Sequence, residues 1–330
     1  VSSASEKRRE GSSEERRVDY LRLSVTDRCN LRCVYCMPPE GVPFRPSEEI
    51  LSYEEQIFFV RAALEAGISK VRITGGEPLV RRDLAELVLM LSELEGLDDL
   101  SLTTNGLLLP SLAPALKKAG LKRVNISLDS LDPERYRHLT RGGSLERAMR
   151  GVEAAVESNL APVKLNAVLM PETLDELPDF VRLTRDRELH VRFIEWMPVG
   201  GCGPRPKGGA VLRDQVVQRL AEFGDLKPEE SPGGWGPARY FRLNSHLGTI
   251  GFISSVSDHF CSQCNRLRLT ADGRLKSCLF SDDEVDVRPA LSSRDWEATA
   301  QAISSSLGAK SFDRNKVGRQ GSRTMSEIGG

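Results

Sequence analysis

The chain has 330 residues, of which 39% are hydrophobic and 28% charged, with a net charge of −1. This is ordinary globular composition on a chain long enough to bury a core without disulfide staples. The near-neutral balance excludes a global field that would recruit nucleic acid or an anionic membrane. No apolar run approaches the roughly 20 residues of a membrane span.

In chain order, residues 1–18 come first, opening "VSSASEKRREGSSEERR", polar and of mixed charge. They are expected to form a disordered tail. The stretch has no apolar segment for a secretory signal. It carries Glu6, Glu10, Glu14 and Glu15, which a transit peptide would lack, so a cytoplasmic location is expected. Six β-rich runs follow, at 20–25, 70–74, 99–104, 123–128, 163–169 and 191–196, separated by helical periodicity at 52–66, 80–94, 111–119, 145–158 and 174–186. This alternation predicts βαβ crossovers and a parallel sheet, either an incomplete barrel or a doubly wound sheet. "TDRCN", "TGGEP", "TTNG" and "SLDS" each follow a strand, so chemistry should gather at the carboxyl ends of the strands. After residue 197 the composition shifts through the Gly/Pro-rich loop 198–210. A helix (211–223), two possible strands (239–243 and 248–254) and a cysteine-rich segment then read as an extension of the first half.

Six of the seven cysteines fall into two groups, Cys29, Cys33 and Cys36, then Cys261, Cys264 and Cys278, while Cys202 stands alone as a bystander thiol. Such clusters point to metal ligation in a reducing compartment rather than to a secreted disulfide framework. Three thiolates on one cubane iron–sulfur cluster leave one iron open for substrate or cofactor. The alternatives are a thioredoxin-like pair at Cys33 and Cys36, or zinc completed by a remote ligand. In the second group, "TADGRL" predicts a hairpin that returns Cys278 towards Cys261 and Cys264. Zinc with a residue such as His259 is the alternative there. Arg266 and Arg268 alternate in "RLRL", so a strand would point both to one face, beside the cysteines.

The spacing C-x3-C-x2-C with Tyr35 before the last cysteine resembles the radical S-adenosylmethionine (SAM) superfamily, and "TGGEP" at 74–78 strengthens the likeness. Two groups of three cysteines on one chain resemble, within it, the GTP 3′,8-cyclases of molybdenum cofactor biosynthesis. From about residue 19 to the end, the likeness runs through "RLSVTDRCNLRCVYCMP", "RITGGEPLVRRDL", "LTTNG", "NISLDSLD", "RFIEWMPVG", "CNRLRLTADGRLKSCLF" and a terminal "IGG".

The resemblance implies an incomplete (βα)6 barrel at 19–197 and an extension at 198–330, with a [4Fe–4S] cluster at each opening and GTP between them. It places one cluster on Cys29, Cys33 and Cys36, and SAM contacts on Tyr35, Gly76, Ser127 and Met197. The second cluster falls on Cys261, Cys264 and Cys278, and GTP contacts on Arg22, Arg72, Thr103, Lys164, Arg266 and Arg268. It implies that a 5′-deoxyadenosyl radical removes hydrogen from ribose C3′, and that C3′ then attacks guanine C8 to give 3′,8-cyclo-7,8-dihydro-GTP. A downstream cyclic pyranopterin monophosphate synthase, an external electron donor and a homodimer are further implications. The two terminal glycines are expected to enter the active site. Another two-cluster radical SAM enzyme, such as a peptide maturase, is the alternative; a peptide groove would then replace converging cations.

Overall fold

The computed structural model describes residues 17–199, 209–313 and 323–330. The expected tail lies outside them up to residue 16, as does Cys202. Arg17 and Val18 are already placed, and Val18 is buried.

Among the described residues, twelve strands form one sheet. They are β1 (Tyr20–Ser24), β2 (Lys70–Thr74), β3 (Asp99–Thr104), β4 (Arg123–Ser127), β5 (Val163–Leu169), β6 (Leu189–Glu195), β7 (Leu226–Glu229), β8 (Arg239–Leu243), β9 (Thr249–Ile253), β10 (Arg266–Leu269), β11 (Arg274–Lys276) and β12 (Val285–Asp286). Their order is β12-β11-β10-β1-β2-β3-β4-β5-β6-β9-β8-β7. The run β1 to β6 is parallel and sequential, as the alternation predicts. The second half of the chain does not stand apart. It supplies a parallel neighbour to each side of that run, β10 beside β1 and β9 beside β6.

The helices are α1 (Tyr53–Glu65), α2 (Leu84–Ser92), α3 (Leu109–Lys118), α4 (Pro133–Thr140), α5 (Leu145–Glu157), α6 (Leu177–Arg185), α7 (Arg213–Leu220), α8 (Arg288–Ser292), α9 (Trp296–Gly308) and α10 (Met325–Ile328). Local chemistry sets their starts. Ser52 and Glu55 form a capping box on α1, and Ser144 caps α5. The strand pattern shows no helix at 133–140, because Tyr136 and Leu139 are nearly its only apolar positions. Its start signal is nonetheless present: Asp132 accepts from the amide of Arg135, and Pro133 occupies the first turn.

The sheet is curled. Flat, β2 and β6 would stand about 19 Å apart, four strand spacings. Yet Arg192 on β6 lies near enough to Arg72 on β2 to add to burial in lowering the Arg72 guanidinium below its ordinary value. The curl encloses a lumen lined by one face of each strand. The other face buries Leu21, Leu23, Val71, Ile73, Leu100, Leu102, Val124 and Ile126 against the helices. At β6, Phe193 packs edge-on to Phe180 of α6 (5.5 Å) and beside Phe252 of β9 (6.1 Å). Phe193→Ala should therefore cost about 3–5 kcal/mol. A denaturant midpoint unchanged from the wild type would show that this aromatic stack carries no such weight.

Candidate active site

The two cysteine groups lie at opposite mouths of the lumen. Cys29, Cys33 and Cys36 follow the carboxyl end of β1. Cys264 precedes the amino end of β10, which runs parallel to β1. The hairpin forms as expected, with Arg268 opposite Lys276 and Leu269 opposite Leu275, and it carries the chain back towards Cys278. Strands of about five residues put the mouths about 17 Å apart, a span suited to a nucleotide.

At the carboxyl-terminal mouth, the amides of Cys36 and Met37 both turn back onto the carbonyl of Cys33 (2.9 and 3.3 Å), and Leu31 N–H donates to Cys29 Sγ (3.4 Å). Helix α4 braces this loop. Arg32 and Val34 donate their amides to the carbonyls of Thr140 and Leu139, and Arg141 Nη1 donates to the carbonyls of Arg32 (3.0 Å) and Met37 (2.7 Å). Burial pushes the Cys29 thiol up to about 11 and the Cys33 thiol well above its ordinary range; Asp129, Cys36 and Cys29 add to the rise at Cys33. Thiols held protonated by burial and by one another's charge at Cys33 fit a cationic iron centre, which would supply the positive charge that turns them into thiolate ligands. Among the described residues no three Cys, His, Asp or Glu side chains converge tightly enough for a single ion. A cubane does not require it, since each thiolate binds its own iron.

Gly76 presses against this loop. Its amide donates to the carbonyl of Thr26 and the Glu77 amide to that of Arg28, both at 2.8 Å. A Cβ on Gly76 would lie 2.4 Å from the Arg28 carbonyl oxygen. Glu77 is buried and accepts from Thr104 Oγ1 (2.6 Å), Asn105 N–H (2.7 Å) and Leu79 N–H (3.0 Å), while Asn105 Nδ2 donates to Asn30 Oδ1 (2.8 Å). Burial pushes the Glu77 carboxyl up to about 7 despite those donors. Tyr35 donates its hydroxyl to Asp129 Oδ2 (2.6 Å), and Asp129 Oδ1 accepts from Val168 N–H (2.9 Å). The expected SAM contacts Tyr35, Gly76 and Ser127 thus share one mouth. Met197 follows the carboxyl end of β6 at that mouth and packs in a small apolar cluster with Val199, Cys278, Phe280, Met325 and Ile328.

The lumen wall is cationic. Arg22 lies between Arg268 and Arg72 in register, three guanidinium side chains on adjacent strands. Arg22 Nε and Nη2 and Arg268 Nη1 donate to the carbonyl of Gly329 (3.4, 3.3 and 3.1 Å), so the first of the two terminal glycines reaches the lumen wall. Arg72 Nε donates to Ser101 Oγ at 3.3 Å. Burial, then the neighbouring cations, lowers Arg22 well below its ordinary value and Arg268 to about 10. Buried Oγ1 of Thr103 and Nε of Arg266 have no hydrogen-bond partner. A buried unpaired donor calls for a polar ligand.

Lys164 donates to the carbonyl of Gly233. Burial, then Arg192, Arg123 and Arg72, pushes its ammonium down to about 6 from 10.5. Between those values the unfolded chain holds the extra proton, so stability rises with pH across that window and is flat below it. Lys164→Met should therefore raise the thermal midpoint of the nucleotide-free protein at pH 7 by about 2–4 °C and flatten its rise between pH 6 and 10. A lowered midpoint would contradict this account.

Several residues of the site carry no distinct signal in the sequence. Arg192, whose Nη2 donates to Asn125 Oδ1 (2.7 Å), looks like Arg22 and Arg72, a cation inside an apolar strand. Arg123 looks the same, yet Asp99 neutralises it through a bidentate pair. Lys310 ties the two arms of the second cysteine group by donating to the carbonyls of Arg266 (2.8 Å) and Ser277 (2.6 Å). Burial raises the Cys264 thiol, but Arg266 and Lys310 outweigh it and hold it below its ordinary value. His259 Nδ1 is engaged by the carbonyl of Ser255 at 2.7 Å.

Comparison with known proteins fits this geometry. Residues 23–184 match the radical SAM superfamily, and residues 189–316 match Molybdenum Cofactor Synthesis C. A GTP 3′,8-cyclase of Pelotomaculum thermopropionicum is 49% identical over 320 residues, 96% of this chain and 98% of the relative. A GTP 3′,8-cyclase of Listeria monocytogenes serovar 1/2a is 45% identical over 321 residues, 94% of this chain and 96% of the relative. Among solved structures, native anSMEcpe with bound AdoMet superposes with a TM-score of 0.59 at 14% identity, covering 90% of this chain and 82% of that one. SuiB of Streptococcus suis gives 0.58 at 14% identity, covering 86% of this chain and 66% of that one. At that identity the likeness concerns the fold.

Proposed function

The chain belongs to the GTP 3′,8-cyclase family of radical SAM enzymes, and on that premise we propose which of its residues carry the reaction. It is a radical SAM enzyme that converts GTP to 3′,8-cyclo-7,8-dihydro-GTP, the first step of molybdenum cofactor biosynthesis. It uses SAM and iron–sulfur chemistry. Among the described residues no helix is long and apolar enough to cross a membrane.

The observation that carries the finer assignment is the pair of three-thiol groups at opposite mouths of one cationic lumen. On this reading each group holds its own [4Fe–4S] cluster, Cys29, Cys33 and Cys36 at one mouth and Cys261, Cys264 and Cys278 at the other. The functional units are 19–197 and 198–330. Bound at the first mouth, SAM on its cluster supplies a carbon-centred radical able to take hydrogen from an unactivated C–H bond. Gly76, Tyr35, Ser127 and Met197 position SAM there, and Glu77 and Asp129 hold the loops that carry the first two. Arg22, Arg72, Arg266 and Arg268 receive the triphosphate, whose charge relieves their mutual repulsion. Lys164 and Thr103 orient the nucleoside. A row of buried cations suits an anionic nucleotide better than a peptide.

The reaction takes electrons from outside the chain, which implies an external one-electron donor, and its product requires a downstream enzyme, the cyclic pyranopterin monophosphate synthase. The proposed homodimer rests on the family resemblance.

The test is anaerobic incubation of the reconstituted protein with reductant, SAM and GTP. The expected products are 5′-deoxyadenosine carrying deuterium from C3′-labelled GTP and the cyclised nucleotide. SAM cleavage that ignores GTP, with no cyclised product, would refute the substrate assignment.

A further inference from the structure

Residues 231–237, "SPGGWGP", cross the amino-terminal mouth of the lumen, on the side of the second cysteine group. Three of their contacts are with side chains at the amino ends of parallel strands. Lys164 of β5 donates to the Gly233 carbonyl. The Arg123 guanidinium of β4 lies flat under Gly234, whose φ is +79° and where a Cβ would fall 2.5 Å from Arg123 Nη2. Lys70 of β2 stands 3.6 Å above the ring centroid of Trp235. The same Lys70 pairs with Asp19, whose Oδ1 accepts from Asn265 Nδ2 at 2.7 Å, one residue after Cys264. The segment is thus coupled to the second cysteine loop through Lys70, Asp19 and Asn265.

This covering is held weakly from above and strongly addressed from below. Trp235 is 54% exposed, and Gly233 and Gly236 are also at the surface. Beneath, Lys164 is buried and meets a neutral carbonyl rather than an anion. A carbonyl accepts one proton of the Lys164 amine but supplies no counter-charge to hold it as an ammonium, so an anionic ligand in the lumen would compete for it. An indole at a cationic mouth offers a flat apolar surface of the kind that covers a purine ring.

We propose that residues 231–237 form a lid over the purine end of the bound nucleotide, with Trp235 as the positioning residue that excludes water from it. This rests on the reading above, in which GTP lies between the two cysteine groups. The lid closes the mouth opposite to SAM. Its loss should therefore leave SAM cleavage without nucleotide unchanged and affect only how GTP is held.

The experiment compares the reconstituted wild type, Trp235→Ala and Trp235→Phe under anaerobic turnover, with hydrogen exchange of the 231–237 amides measured with and without GTP. The alanine variant should raise KM for GTP about tenfold and release more 5′-deoxyadenosine per cyclised product. Phenylalanine should restore both, and GTP should slow exchange across 231–237 in the wild type. If the wild type turns GTP over while the alanine variant keeps wild-type KM and coupling, or exchange at 231–237 ignores GTP, the lid is wrong and the function stands. If the wild type does not consume GTP, the functional reading falls and the lid falls with it.

Discussion

Gly76→Ala should abolish SAM cleavage while leaving a folded protein. The added Cβ would sit 2.4 Å from the Arg28 carbonyl oxygen and 2.8 Å from that of Asp27, both backbone atoms that cannot swing aside. Nor can residue 76 retreat freely, because its amide is tied to Thr26 and the next amide to Arg28. The strain passes one residue on, to Cys29. A displacement of about 1 Å at a reacting centre costs about 10²-fold in rate, so 5′-deoxyadenosine formation should fall by at least that factor. The apolar face of β2, Val71 and Ile73, is untouched, so circular dichroism should report the wild-type fold. Iron and sulfide after reconstitution should drop towards half, since the second cysteine group lies at the other mouth. Wild-type SAM cleavage by this variant would show that the glycine is only a turn residue.

Arg268→Ala should separate the two halves of the reaction. Arg268 is buried beside Arg22, no carboxylate among the described residues pairs with either, and both donate to the Gly329 carbonyl. Losing a charge-assisted hydrogen bond to phosphate costs about 1.5–3 kcal/mol, or roughly 10- to 150-fold in kcat/KM for GTP. Removing one of three crowded cations also relieves repulsion, so the thermal midpoint without nucleotide should hold or rise. SAM cleavage without GTP should persist, because the Cys29 group is untouched. Arg22→Ala should behave alike. If the arginine variants turn over GTP normally, the triphosphate lies elsewhere.

Much of this was legible in the sequence, and the reason is locality. Six parallel strands each announce themselves within five to seven residues. A cysteine trio needs only its own loop to show that a metal position is open. What stayed hidden depends on register between distant segments. Arg72 and Arg123 read identically as strand cations, yet only Arg123 has a carboxylate opposite it, because β3 places Asp99 beside β4. Lys310 gains meaning only when the chain returns past Arg266 and Ser277. Helix α4 was obscured by its polarity, although it holds the loop of the first cysteines. Gly76 is expected from the motif as a SAM contact, but its tight seat against the carbonyls of Asp27 and Arg28 emerges only when two loops far apart in sequence meet.

The placement of β10 beside β1 has a consequence for how the protein is made. Asp19 at the head of β1 and Asn265 at the head of β10 are 246 residues apart in sequence. At about 5–20 residues per second, a ribosome takes roughly 12–50 s to cover that distance. Until then the first strand to emerge has one edge of unpaired amides and carbonyls open to any other nascent chain. Arg22, and Lys70 and Arg72 on the neighbouring strand, are already synthesised by then. Those charges would also keep that waiting edge from sticking.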